Sequence, residues 1–473
     1  MWDSSEVAAY TGGELTGNPE VRAAGCIIDS RQVQGGEIFF ALAGEKVDGH
    51  EFIETAWRNG AAIVVAEKER LNLREPLQIP EDKALIQVDS GLNAVQALAR
   101  AWREKLGAKV VGITGSNGKT TTKDMVAAVL AQKYRVHKNK ENHNNELGLP
   151  LTILNAPSGT EILVLEMGMR GLGQIKALCE IAKPDFGVIT NIGTTHLELL
   201  GSEENIARAK WELIESLPAE GVAVVNAEDF WSCRQAEVDL HANCFYGFQG
   251  LYHIPDLRGM NLQPVGTLGT RFEVVTAGQA GQTVNITIEL PLPGEHNVLD
   301  ALAALSVGLL FEVSLQEACR GLAEMELSRM RLELHPGIQG STLISDVYNA
   351  NPTSMQASLK VLQERGGNTT LAILGDMYEL GDASISGHFA VGKTAAELGI
   401  SELIAVGELA GEIARGAQES GMPPSTVYSC LTREEAVDKA REILGRLNQK
   451  AWVLIKASRG MRMEEVTKAL REG

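Results

Sequence analysis

Short runs of consecutive apolar residues recur along the chain, with stretches of helical periodicity between them. Residues 38–42 (IFFAL), 61–67 (AAIVVAE) and 84–88 (ALIQV) are such runs, separated by Gly and Asp, and residues 93–106 place apolar side chains at helical spacing. Unbroken apolar runs of this length predict strands covered on both faces, as in parallel sheets flanked by helices. From residue 109 the pattern is strand, turn, helix: VVGIT (110–114), ILVLEMG (162–168), FGVITNIG (186–193) and VAVVNA (222–227), with helical segments between several of them. Residues 291–308 (PLPGEHNVLDALAALSVG) read as a turn running into a helix. Beyond residue 329 the alternation resumes with TLISDV (342–347), LAILGD (371–376), LIAVG (403–407) and WVLIKAS (452–458). The predicted fold class is α/β throughout.

A chain of 473 residues exceeds what one core organises, and three domains follow from the changes in texture. They are a smaller N-terminal α/β domain (1–107), a central P-loop-type parallel-sheet domain (108–328) and a C-terminal Rossmann-like domain (329–473). The net charge of −18 argues against general affinity for nucleic acid or anionic membrane. A protein this acidic that binds nucleotide must gather its positive charge locally. The six cysteines are dispersed without a CxxC pair, which predicts reduced thiols in a reducing compartment. The opening MWDSSEVAAYTGG lacks a basic segment followed by an apolar core, and the longest uncharged apolar run, 301–311, is far short of the ~20 residues that span a bilayer. A soluble intracellular protein is expected.

The strongest chemical signal is GITGSNGKTTTK, residues 112–123. A strand feeds a Gly-rich turn, and Lys119 and Thr120 open a helix. Gly115 and Gly118, with Ser116 and Asn117 between them, let backbone N–H groups approach phosphate oxygens. Lys119 brings a point charge to the β- and γ-phosphates, and the Thr120 hydroxyl, followed by Thr121, can ligate Mg²⁺. The strict Gly-x4-Gly-Lys-Ser/Thr pattern is not met, because residue 113 is Ile and the Gly lies at 112. That departure points away from most P-loop ATPases.

Glu166 and His196 each follow a predicted strand, where an α/β sheet gathers its ligands, and both suit a metal ion held against phosphates. Lys210, in NIARAKWELI, reads by itself as a solvated helix lysine. Asn144 and Asn145, in HNNELGLP, suit either recognition of polar substrate groups or helix capping. Asp346 ends a strand in DVYNANPTSM, ahead of Asn349 and Asn351, at a place where an acid often bonds ribose hydroxyls. Lys456, Arg459 and Arg462 cluster after the last strand as a carboxylate or phosphate clamp. No convincing Ser/His/Asp or Cys/His triad is present.

Taken together, these segments resemble the Mur ligase family. The likeness runs through DSRQVQGGEIFFALAGEKVDGHEFIETA (29–56), TGSNGKTT, ENHNNELGLPLTIL, EMG, NIGTTHLELLGS, ARAK, PGEHNVLDALAA, RLE, YNANPTSM, GDMYELG and KASRGMR, covering nearly the whole chain in the family's order. The variant phosphate loop is the one this family uses. YNANP and GDMYELG look like the branch that adds D-alanyl-D-alanine to UDP-N-acetylmuramoyl-tripeptide, and the DNPR-type segment of the branch adding the third peptide residue is not found. The resemblance implies a cytoplasmic, monomeric ATP-dependent ligase working through an acyl phosphate.

Residue by residue, it implies that Ser30 and Arg31 lie near the uridine diphosphate of the sugar substrate. ATP would be held by Gly115, Ser116, Asn117, Gly118, Lys119, Thr120 and Thr121, with Asn297 near adenine and with Arg331 and Asp346 reaching the nucleotide from the C-terminal domain. Mg²⁺ would sit on Thr120, Glu166, His196 and Lys210, the last carbamylated, and Lys119 would join Glu166, His196 and Lys210 in catalysis. Asn144, Asn145, Asn349 and Arg459 would face the peptide substrates. One departure is Ser345, where a second acid beside Asp346 is expected. A folate-type ligase of the same fold is disfavoured by the DSR…DGH region, and a nucleotide switch by the intact Lys119, Glu166, His196 and Lys210.

Overall fold

Each short apolar run becomes a strand in one of three large sheets, whereas the longest, 301–311, lies almost wholly in a helix. The computed structural model describes residues 2–44, 46–72, 77–140, 142–277, 283–326, 328–366, 369–447 and 450–471. In the first sheet, Ile38–Ala41, Ile63–Glu67 and Ala84–Val88 pair in parallel, with Cys26–Ile27 at one edge and the antiparallel Glu14–Gly17 at the other. Ile38, Phe39 and Phe40 are all fully buried, which is why their run carries no alternation.

The periodic stretch at 93–106 is the helix Gly91–Leu106. Ser90 caps it by accepting from the Asn93 N–H, and Gly107 ends it in the left-handed region at φ 61°. Its buried face (Val95, Leu98, Trp102) belongs to a core shared with the central domain, and the Trp102 indole N–H donates to the Ala156 carbonyl at 3.0 Å.

Among the described residues the central sheet has nine strands. Val136–Lys138, Ile162–Glu166, Lys109–Thr114, Phe186–Ile189, Val222–Asn226 and Ala242–Gly247 lie side by side in parallel. The sheet then continues through a ribbon of Leu257–Val265, Gly269–Ala277 and Thr283–Leu290 that turns antiparallel. The expected parallel sheet is therefore mixed. Leu257–Val265 is mostly exposed and broken by a register shift between Met260 and Gln263, so it carries neither an apolar run nor clean alternation. The helix expected within 291–308 is Glu295–Leu310.

The third sheet runs Glu333–Pro336, Thr342–Ser345, Trp452–Lys456, Thr370–Gly375, Glu402–Val406, Val427–Cys430, parallel except at its first strand. Helices cover both faces, with separate apolar clusters on each. Among the described residues no helix is long and apolar enough to cross a membrane.

Candidate active site

Strand order builds the site. Lys109–Thr114 lies between Ile162–Glu166 and Phe186–Ile189, so the turn at 115–118, Glu166 and the loop 190–196 leave the sheet at one edge. The phosphate loop is held from that neighbouring loop: Ser116 N–H donates to Asn191 O at 2.8 Å, Asn117 N–H to the Asn191 side chain at 3.0 Å, and the Thr190 hydroxyl to Asn117 O at 2.6 Å. Gly115 has φ 153°, and a Cβ there would meet Thr190 Oγ1 at 1.8 Å. Gly118 has φ 80° and caps the helix Lys119–Leu130. Gly115→Ala is therefore expected to lower Tm by several degrees and abolish detectable ATP binding, read by thermal unfolding and calorimetry. Unchanged ATP affinity in that variant would remove the phosphate role from this loop.

Lys119 Nζ donates to the carbonyls of Gly115 at 2.8 Å and Ser116 at 3.3 Å. The Thr120 hydroxyl donates to Glu166 Oε2 at 2.8 Å, and Asn144 Nδ2 donates to Glu166 Oε1 at 2.7 Å. The buried Asn139 bonds the Glu166 backbone on both sides. Asn144 is thus drawn to the carboxylate, whereas Asn145 accepts from Gly148 N–H at the start of the helix Gly148–Leu154. The two amides have different tasks.

The C-terminal domain closes on this edge. Arg331 donates to Thr120 Oγ1 at 2.9 Å, and Asn351 Nδ2 reaches Asn117 Oδ1 at 2.6 Å and Thr195 Oγ1 at 3.2 Å. Glu379 Oε2 lies 3.0 Å from His196 Nδ1, within ion-pair distance but poorly aligned for a hydrogen bond. The other Glu379 oxygen lies 3.5 Å from Arg170. His196 and Glu379 both adopt left-handed backbone, at φ 65° and 61°, a cost that non-glycine residues carry where the surrounding contacts impose it.

Positive charge is concentrated here. Lys119 is partly open to solvent at the mouth of the loop but densely surrounded. Burial lowers its ammonium pKa, Arg331 adds to that, and Glu166 opposes it. Lys210, on the helix Glu203–Glu215, is 2% exposed, and burial followed by the Lys119 charge pushes it well below its ordinary value. His196 falls to about 4 through burial and then Lys210, with Glu379 opposing. Lys210 is therefore no solvated helix lysine. Lys119 and Arg331, brought together at Thr120 and Glu166, suit a polyphosphate.

Other expected residues sit further out. Asp346 is buried and accepts from Lys456 Nζ at 2.6 Å and Ser358 Oγ at 2.8 Å. Burial raises its pKa, but Lys456 and Ser358 outweigh that and leave it lowered. Ser345, in place of a second acid, bonds Thr467. The expected clamp of Lys456, Arg459 and Arg462 does not assemble: Lys456 turns inward to Asp346, Arg459 pairs with Glu464 at 2.8 Å and Arg462 with Glu465 at 2.6 Å. Asn349 is exposed beside that pair, its carbonyl accepting from Lys456. Asn297 is buried and donates to Pro293 O. Ser30 is buried, while Arg31 is exposed and paired with Asp29 at 2.8 Å.

Sequence reasoning gave no role to Glu379, Arg170, Asn139 or Asp300. Asp300 lies against Gly118 and accepts from Thr122 Oγ1 at 3.0 Å, and burial pushes its carboxyl up to about 7 against the pull of Thr122 and Arg331. An unfolded Asp titrates near about 3.9, so the folded chain binds this proton more tightly. Its contribution to stability is present below pH ~4 and is lost as pH rises toward ~7. Asp300→Asn should flatten the fall of Tm over that interval. An equal fall in parent and variant would rule Asp300 out as its source.

Comparisons with known proteins agree with this geometry. Family models described as "Mur ligase family, catalytic domain", "Mur ligase middle domain" and "Mur ligase, glutamate ligase domain" match residues 22–103, 113–308 and 330–459. The UDP-N-acetylmuramoyl-tripeptide–D-alanyl-D-alanine ligase of Bacillus subtilis (strain 168) is 37% identical over 95% of this chain and 93% of its own. That of Escherichia coli (strain K12) is 31% identical over 99% and 98%. Among solved structures, MurF from Acinetobacter baumannii superposes with a TM-score of 0.87 at 29% identity, covering 100% of this chain and 99% of that one. MurF ligase from Thermotoga maritima in complex with ADP gives 0.78 at 28%, covering 95% and 97%.

Proposed function

Because the chain belongs to the Mur ligase family, we propose that it is the ATP-dependent ligase that joins D-alanyl-D-alanine to UDP-N-acetylmuramoyl-tripeptide. The product is the pentapeptide precursor of peptidoglycan, with ADP and phosphate released. The observation that carries this reading is the phosphate loop joined to Glu166 through Thr120 and covered by Arg331 and Asn351 from the C-terminal domain. We assign residues 1–107 to the UDP-sugar, 108–328 to ATP and 329–473 to closure over both, in a cytoplasmic monomer.

The tripeptide's terminal carboxylate oxygen attacks the γ-phosphorus of ATP, and the bond to the β-bridging oxygen breaks to release ADP. The amine of D-alanyl-D-alanine then attacks the acyl phosphate carbon. The tetrahedral intermediate expels phosphate, and the nitrogen gives up its proton. Little of this needs a side-chain nucleophile; positioning and charge neutralisation suffice. Gly115 to Thr121 cradle the phosphates, and Lys119 offsets the repulsion between carboxylate and γ-phosphate. Asn297 is assigned to the adenine, Arg331 and Asp346 to the nucleotide from the C-terminal domain, and Ser30 and Arg31 to the uridine diphosphate. Asn144, Asn145, Asn349 and Arg459 are assigned to the peptide side. Contacts across the domain junction exclude water from an intermediate that hydrolyses readily.

The residues present fit Mg²⁺. Thr120 and Glu166 offer hard oxygens, and His196 offers a buried Nδ1 without an aligned hydrogen-bond partner. No group of three or more His, Cys, Asp or Glu gathers as a closed metal cage among the described residues. An ion that draws part of its shell from substrate phosphates matches such a site, and a carbamate on Lys210 would add oxygens. Bound there, Mg²⁺ would supply charge neutralisation at the phosphates.

The test is phosphate release from ATP with Mg²⁺, UDP-N-acetylmuramoyl-tripeptide and D-alanyl-D-alanine, omitting one component at a time. Release that needs both co-substrates, with a pentapeptide product by mass, is the expected outcome. Release with ATP alone would overturn the ligase reading.

A further inference from the structure

Asp124 lies one turn beyond Thr120 on the helix after the phosphate loop and is 1% exposed. Its two oxygens serve different segments. Oδ1 accepts from Lys138 Nζ at 2.6 Å, with Lys123 Nζ 3.5 Å away. Oδ2 accepts from both the backbone N–H and the hydroxyl of Ser328, at 2.9 and 2.8 Å. Ser328 belongs to the connection between the helix Leu315–Ala323, which packs in the central domain, and Glu333–Pro336, the first strand of the C-terminal sheet.

Three residues after Ser328, Arg331 reaches back to Thr120, and its guanidinium lies over the Tyr348 ring at 4.3 Å. Its buried Nε has no hydrogen-bond partner. The residues on either side, Met330 and Leu332, are left-handed at φ 66° and 48°. Bulky side chains disfavour that conformation, so the turn is imposed from outside and not chosen by its own residues. Thr120 and Asp124 are four apart on one helix and share a face. The linker is therefore fixed at one point and delivers its arginine one turn away.

We propose that Asp124 and Ser328 form a clasp that positions Arg331 for the nucleotide; this rests on the reading that Arg331 reaches the nucleotide. Both are positioning residues, since neither is placed to touch substrate. The clasp makes the entry of the C-terminal domain part of the ATP site: the carboxylate that anchors the linker rides on the helix that presents Thr120.

Calorimetric titration of the full chain with ATP and Mg²⁺, without peptide substrates, tests this. Ser328→Ala keeps the backbone bond and removes only the hydroxyl, so the fold survives, and ATP affinity should fall about tenfold, as for loss of a hydrogen bond to a charged group. Arg331→Ala should cost about a hundredfold, and adding Ser328→Ala to it should change affinity less than about twofold, because the clasp then has nothing to position. Ser328→Thr should restore most of the affinity. Losses that multiply in the double variant, or Ser328→Ala with parent affinity, overturn the clasp while leaving Arg331 in its role. Arg331→Ala with parent affinity overturns the reading of Arg331 and the clasp with it.

Discussion

Replacing Lys119 with Met should lower kcat by about 10³-fold or more and leave the protein at least as stable as the parent. The two halves of that result have one cause. Lys119 is held over the loop by the carbonyls of Gly115 and Ser116, and burial and Arg331 both disfavour its charge, with Glu166 opposing. Methionine keeps much of the side chain's length and removes the ammonium, so the folded state sheds a charge it solvates poorly. The reaction has the opposite demand. Negative charge spreads over the γ-phosphoryl oxygens as a carboxylate approaches them, and a preplaced cation in a closed site stabilises that arrangement far better than water does. Lys119→Arg should be nearly as inactive, since a planar fork does not fit where a compact charge sits between two carbonyls. Initial rates of ADP formation and thermal unfolding check both halves. A loss of less than about tenfold would show that Lys119 does not carry the phosphate charge.

What the sequence made legible follows from where the physical constraints are local. The buried parallel strands announced themselves because a strand covered on both faces, such as Ile38–Ala41 or Trp452–Lys456, has almost no polar positions. The phosphate loop was legible for the same kind of reason: left-handed turns at Gly115 and Gly118 and a helix opening on Lys119 are needs met within a few residues. In the ribbon from Leu257 to Leu290 only the first strand, largely exposed and bulged, lacks a period. Thr283–Leu290 alternates apolar Val284, Ile286, Ile288 and Leu290 with polar residues, a half-solvated pattern that a search for unbroken apolar runs passes over.

The misread site residues share a different cause. Lys456 looks like part of a surface clamp beside Arg459 and Arg462, and only the fold turns it toward Asp346, 110 positions away in sequence. Lys210 looks solvated until the sheet edge buries it beside Lys119. Glu379 and Asp124 have no local signal, since each matters through a partner on another domain or linker. The composition did anticipate one nonlocal fact, that an acidic nucleotide-binding chain must concentrate its cations, and Lys119 and Arg331, converging on Thr120 and Glu166, are that concentration.

Lys210→Ala should lose about 10²–10³ of the activity, and added formate or acetate, not methylammonium, should return part of it. Burial and the Lys119 charge act on the Lys210 amine in the same direction, both favouring its uncharged, nucleophilic form. A neutral amine adds to carbon dioxide: the N–C bond forms, the nitrogen loses a proton, and the side chain ends as a carbamate of charge −1. That exchange suits the site, where the cations Lys119 and Arg331 lie near Glu166 and where His196 is kept uncharged near pH 7. An anion at this position supplies oxygens for Mg²⁺, whereas an ammonium would repel both the ion and Lys119. The cavity left by alanine admits either a small carboxylate or a small cation, so the chemistry of the rescuing molecule reports the charge the parent side chain carried. Removal of dissolved carbon dioxide should also depress the parent's rate, reversibly on adding bicarbonate, with no effect on the rescued variant. Rescue by methylammonium, or a parent rate indifferent to carbon dioxide, would mean that Lys210 works as an unmodified lysine and contributes no negative charge at this edge.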